Sequence, residues 1–182
     1  MKRRVGVQAS ILTLLMASSL AVSLVIAADT SQDRAVKYIL ATVKAFRTVY
    51  SKAIVEHVQK VGIKPSENWN KDDHAIMLNA QFVKAAGVEI PDFELGLIGL
   101  TPIYKSNLPK TQAEADALKK MMVNPELKLL TFADGNQFKG LAADHAIVQA
   151  CVDCHNSHPS SLRKDFKQGD LMGAIVVRIN NK

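Results

Sequence analysis

Cys151-Val152-Asp153-Cys154-His155 is the stretch around which the rest of the chain arranges itself. Two cysteines separated by two residues and followed at once by histidine form C-x-x-C-H, the spacing of covalent c-type haem attachment. On one tight turn the two sulfurs reach the two vinyl groups along one haem edge, and the next residue brings an imidazole beneath the iron. That chemistry assigns Cys151 and Cys154 to thioether bonds and His155 to the proximal iron position, with one haem c per chain.

These are the only two cysteines in 182 residues, so no thiol is left for a disulfide framework. Two other chemistries use the same letters: a redox dithiol, and a zinc site drawing three of its four ligands from the motif. The zinc reading lacks a second cysteine pair, and the dithiol reading lacks a strand-then-helix context.

Upstream, the first residues bear on the compartment. Met1-Lys2-Arg3-Arg4 is a positive start, Ile11 to Ile26 is an apolar run with a few serines, and Val25-Ile26-Ala27 offers small-residue cleavage chemistry. Residues 1–27 read as an export signal, which places the folded part in the periplasm. The run is long for a signal segment and short for a full span of about 20 residues, so an uncleaved inner-membrane anchor is the alternative.

Residues 28–182 then form a single domain of about 155 residues, enough for one core but hardly two. Losing Lys2, Arg3 and Arg4 takes the 23 basic residues to 20 against 17 acidic ones, and the net charge from +6 to +3. That mild balance, without a basic cluster interleaved with aromatics, argues against nucleic acid as a partner.

From Asp33 to about Gly62 the sequence predicts one long amphipathic helix. Val36, Leu40, Val43, Phe46, Tyr50, Ala53, His57 and Val61 recur at three- and four-residue steps, a stripe that places His57 on the buried face and Arg47 off it. A second helix is expected from Asp72, its cap, to Ala86, and a third from Thr111 to Met122, with Thr111 and Glu114 in capping-box spacing. Short strands are expected in Phe93 to Leu100, Leu127 to Ala133 and, after the turn Asp134-Gly135-Asn136, Gln137 to Leu141. A short helix over Ala143 to Ala150 leads into the haem motif, and Leu171 to Ile179 is a closing β-branched strand. Helices and strands are segregated, so the fold class is α+β. Soluble c-type cytochromes are all-helical, and a haem in an α+β fold is more like a sensor module.

The run from Ala143 through Cys151-Val152-Asp153-Cys154-His155-Asn156-Ser157-His158-Pro159, then Lys164-Asp165-Phe166-Lys167-Gln168-Gly169-Asp170-Leu171-Met172-Gly173, resembles the signature of the Tll0287-like haem domains. Arg47-Thr48-Val49-Tyr50-Ser51 and Ser106-Asn107-Leu108-Pro109 are similar to weaker features of the same group. The resemblance implies a PAS-like antiparallel sheet on a long N-terminal helix, with the haem lodged between them. Some members supply the distal ligand from that helix as a cysteine, and this chain has no third cysteine to inherit the role.

His57 is therefore the first candidate for the distal iron ligand and Met77 the second, with an open site or another ligand as the remaining alternative. Arg163 and Lys164, just after the motif, are candidates for pairing with the haem propionates. His158 is read as a polar contact near the haem edge, His145 as a helix cap or propionate contact, and Met172 as core.

These readings describe a monohaem c-type cytochrome that senses redox state or a small gas (NO, CO or O2) by ligand exchange at iron, and passes its signal to a separate partner protein. The alternative is a periplasmic electron-transfer cytochrome of a respiratory chain. No catalytic constellation is found, so the chain is not read as an enzyme, and a homodimer is left open.

Overall fold

The computed structural model describes residues 31–181; the export-signal reading of residues 1–27 falls outside them. Two compact units are distinguished, Met1–Ala35 and Val36–Lys182. Of the first, residues 31–35 are described, and they are helical.

The second unit is built on a four-stranded antiparallel sheet with strand order β3-β6-β5-β4. The strands are β3 (Glu94–Ile98), β4 (Leu129–Asp134), β5 (Gln137–His145) and β6 (Leu171–Asn180). β4 and β5 form a hairpin in which Asp134 faces Gln137, leaving the two-residue turn Gly135-Asn136. Gly135 takes φ +61°, the left-handed conformation such a turn requires. A separate two-stranded parallel ladder joins β1 (Lys64–Ser66) to β2 (Ala75–Met77).

Both faces of the sheet are covered, because side chains along β5 and β6 alternate with period two. Phe138, Ala142, Ile175 and Val177 meet Val36 and Leu40 of α1 (α-helical over 36–49) and Val83 of α2 (Asn79–Val88). Leu141, Ala143, Ala174 and Val176 on the other face meet Ala117, Leu118 and Met121 of α3 (Gln112–Val123). α1 lies directly on the β5 backbone at Gly140, where a Cβ would overlap Val36 Cγ1 and Leu40 Cδ1. The α+β class, the antiparallel sheet and the long N-terminal helix are thus as the sequence predicts.

Three local expectations are corrected. Helical residues continue past 49, but through a π-helical turn, Tyr50–Val55, before a last α-turn, Glu56–Gln59. A π-turn holds one extra residue, so it carries the buried face forward. Val36, Leu40, Arg47, Ser51 and Val55 are buried, whereas Phe46, Ala53, His57 and Val61 are exposed. The stripe leaves its expected register already after Val43, within the α-helix, where the next buried residue is Arg47, and the π-turn carries it further forward to Val55.

The second helix starts at Asn79, not Asp72. Ala75–Met77 pairs with Lys64–Ser66 as strand, Asp72 Oδ1 accepts from the His74 amide at 2.9 Å, and Gln81 Oε1 caps the helix start from Leu78 N at 3.0 Å. Ala143 to His145, expected as helix, are the end of β5, because Ala174, Gly173 and Leu171 of β6 offer ladder partners that local periodicity does not reveal.

Candidate functional site

The motif lies within a helix, α4 (Gln149–Ser157), which the expected tight turn did not anticipate. Positions i, i+3 and i+4 share a helix face, so Cys151, Cys154 and His155 project together and line one cleft. Gln149 Nε2 donates to Asp153 Oδ1 at 2.8 Å along the helix, and Ser157 Oγ donates to the Asp153 carbonyl at 2.6 Å near its end. Val152, on the opposite face, packs with Ala146 and Phe166.

The cleft opens to solvent and holds about 140 Å³ of space for water-sized occupants. α1 contributes Arg47 and the π-turn's Val55, α2 and its approach give Leu78, Asn79 and Ala80, and the sheet ends give Ile98, Asp144, Met172 and Gly173. Pro65, Glu67 and Tyr104 complete the rim.

Burial acts on both the Cys154 thiol and the His155 imidazole, in each case against the charged form. Burial, aided by Glu67 and Cys151, pushes the Cys154 thiol up, the opposite of the depressed pKa that activates a redox dithiol. Burial, with Arg47 and His158 nearby, pushes the His155 imidazole down, so it stays neutral and keeps a lone pair for a metal. Its ring meets Phe166 edge-on at 5.5 Å between centroids. Asn79 Nδ2 lies 3.7 Å from Cys151 Sγ. Among the described residues no group of three or more His, Cys, Asp or Glu side chains is arranged to hold a metal ion by itself.

Sequence reasoning missed the buried ion pair of this cleft. Arg47 Nη1 and Asp144 Oδ1 are 3.0 Å apart, with side chains 6% and 12% exposed. Burial pushes the Asp144 carboxyl up, and Arg47 draws it back only in part. Arg47 Nε has no hydrogen-bond partner, Nη1 is not aligned for one, and Asn79 Oδ1 is equally without a partner. An available signal was a cation one helical step beyond Val36, Leu40 and Val43, at a position where the apolar stripe should continue. Met172, read as core, also lines the cleft.

Other candidates are placed elsewhere. His57 lines a separate surface depression with Lys52, Glu56 and Lys60, because the π-turn has rotated it out of the buried face. Met77 ends β2, is absent from the cleft lining, and its carbonyl accepts from Tyr50 Oη at 2.6 Å while the Tyr50 ring stacks on Phe82 at 4.5 Å. Arg163 is held by Asp165 at 2.7 Å and Asp170 at 2.8 Å and lies over the Phe166 ring, so its charge secures the segment after α4. Lys164 Nζ donates to the His158 carbonyl at 3.3 Å. Neither basic residue lines the cleft.

His158 Nε2 lies 3.5 Å from Glu67 Oε1, which also accepts from Tyr104 Oη. That hydrogen bond, with burial second, pushes the Tyr104 hydroxyl up to about 12. His145 Nδ1 is 2.9 Å from the Gly169 carbonyl, to which its N–H form donates.

The arrangement can hold a flat cofactor by two thioether bonds and one axial nitrogen, with a buried guanidinium for a further polar contact. The family model of the Tll0287-like proteins (Tll0287) matches residues 26–180. Among solved structures, the cyanobacterial heme-protein Tll0287 is similar at 18% identity and a TM-score of 0.48, over 57% of this chain and 70% of that one. No curated protein matches the chain.

Proposed function

The chain belongs to the Tll0287-like family, and from that premise we propose that it is an exported monohaem c-type cytochrome that reports redox state or a small gas. The observation that carries this reading is one helix face presenting Cys151, Cys154 and His155 to one open cleft. The name of the similar cyanobacterial structure, a heme-protein, agrees with it.

The residues fit haem c. Cys151 and Cys154 would each add a thiol across a vinyl group, and the neutral His155 would supply the proximal nitrogen. The unpartnered Arg47 Nε and Asn79 Oδ1 are polar atoms that a cleft closed on itself would not leave buried. Haem supplies an iron that changes oxidation state and binds diatomic molecules. The chain supplies the covalent hold, a packed wall behind α4 from Val152 and Phe166, and the α1 and α2 residues that limit access. Neither His57 nor Met77 lines the cleft, which favours a sixth position free for an incoming ligand. α1 and the π-turn that follows it, which carry Arg47 and Val55 to that cleft, are the elements that would move on binding and inform a partner protein.

The second reading, a periplasmic electron carrier, is favoured by Met172, a thioether in the lining and a ligand type that raises haem potential.

The test is expression with the c-type maturation machinery, haem staining on a denaturing gel, and absorption and paramagnetic resonance spectra with and without NO and CO. Haem that survives denaturation in the wild type but not in Cys151→Ala/Cys154→Ala is expected, and its absence from the wild type rejects the proposal. Five-coordinate ferrous iron that takes up gas selects the sensor. Six-coordinate iron in both states, perturbed by Met172→Ala, selects the carrier.

A further inference from the structure

Arg47 is placed unlike the other buried cations among the described residues. It is 5% exposed, sits on the buried face of α1, and lines the cleft, yet its Nε has no acceptor. The other buried cations are saturated: Lys139 donates to Glu114 and Asp134 at 2.8 Å, and Arg178 to Glu114 at 2.6 and 2.8 Å and to Glu94 at 2.7 Å. Leaving a guanidinium N–H buried without an acceptor costs more than an ordinary hydrogen bond returns, so an unmet donor facing a cleft points to a ligand that meets it. Asp144 meets part of the charge through Nη1 and fixes the guanidinium against the end of β5. Asn79 Oδ1, unpartnered on the α2 side of the same cleft, marks the cavity as polar there and not only at Arg47.

We infer that Arg47 is the anion-binding residue of the cleft: its buried Nε donates a hydrogen bond to a carboxylate or small oxyanion held there, while Asp144 positions the guanidinium. A carboxylate would come from the cofactor itself, as a haem propionate, and an oxyanion from solution. The first source rests on the haem reading above, the second does not. Arg163 and Lys164 are already committed to Asp165, Asp170 and the His158 carbonyl, so they do not compete for either source.

The experiment compares the full chain with Arg47→Ala/Asp144→Asn, in which no buried carboxylate is left unpaired. Nitrite binding is read by calorimetry, and the reduction potential is followed against pH. A loss of nitrite affinity of tenfold or more assigns the site to a solution oxyanion. Unmoved nitrite binding, with the acid-side midpoint of the potential curve raised by a pH unit or more, assigns it to a propionate that Arg47 had kept ionised. A folded variant in which neither moves overturns the inference. Should the double variant not fold, Arg47→Lys, which keeps the charge but lacks Nε, is read in the same two ways. Absence of covalent haem from the wild type rejects the haem reading alone, and the nitrite arm then decides Arg47.

Discussion

Two buried ionic clusters lie on opposite faces of one sheet, and they are built differently. On the α3 face, Glu114 is fully buried and takes bonds from Lys139, Arg178 and the Lys110 amide, with Asp134 and Glu94 holding the remaining donors. On the α1 face, Arg47 and Asp144 share one contact and leave donors unmet beside the cleft. A saturated cluster has nothing left to offer a ligand and serves to hold α3 on β5 and β6. An under-satisfied one keeps binding capacity at some expense of stability. Satisfaction of hydrogen bonds, more than charge or burial, separates scaffold from site here.

The sharpest way to break this contrast is Glu114→Ala. It strands Lys139 and Arg178 in the interior, and removing one partner from such a cluster costs about 3–5 kcal/mol, read as a drop in the urea midpoint of unfolding. Arg47→Ala is expected to cost less, about 1–3 kcal/mol, because Asp144, already displaced toward protonation by burial, can take up a proton when its cation goes. An equal or greater loss for Arg47→Ala would show that both clusters are scaffold.

Acidity separates the clusters further, because their carboxyls are shifted in opposite directions. Burial pushes Glu114 up, but hydrogen bonds from Arg178 and Lys139 outweigh it and pull the carboxyl from 4.5 to about 2. Its contribution is therefore complete above 4.5 and is lost as pH falls through about 2. Asp144, raised by burial above its ordinary 3.8, works the other way: stability is regained as pH falls through its folded pKa toward 3.8. Denaturant unfolding at a series of pH values should show Glu114→Gln removing the low-pH loss and Asp144→Asn flattening the limb above it. The same response in both variants would erase the distinction.

The smallest effect is expected from His57→Ala. An exposed side chain beside Lys60 in its own depression should change stability by no more than about 0.5 kcal/mol and leave the haem spectrum as it was. A spectral change would return His57 to the iron and show that the π-turn rearranges when the cofactor is attached.

Much of the scaffold was legible locally. The closing strand Leu171–Asn180, the hairpin at Gly135-Asn136 and the capped start of α3, where Thr111 Oγ1 accepts from Glu114 N at 3.3 Å, follow from β-branched runs, turn residues and capping spacing. Glu114 did more than the capping box suggests, since its carboxylate turned to partners on β5 and β6, far away in sequence. The candidate site was legible where neighbours in sequence share a helix face, as Cys151, Cys154 and His155 do at one cleft. It was not legible where it depends on which face a helix presents, and so Arg47 was passed over and His57 preferred.

The sequence by itself determined the α+β class, the long first helix and the grouping of Cys151, Cys154 and His155, because each rests on spacing within a few residues of one another. Only the tertiary structure decided the rest. The π-turn at Tyr50–Val55 carried the buried face one residue forward, and the ladder with β6 drew Ala143 to His145 out of a helix and into a strand. The α-helical step from Val43 to Arg47 and that ladder set Arg47 and Asp144, 97 positions apart in sequence, at the same wall of one cleft. Contacts over such separations depend on accumulated helical phase and on strand partners supplied by distant segments, quantities that no local pattern contains.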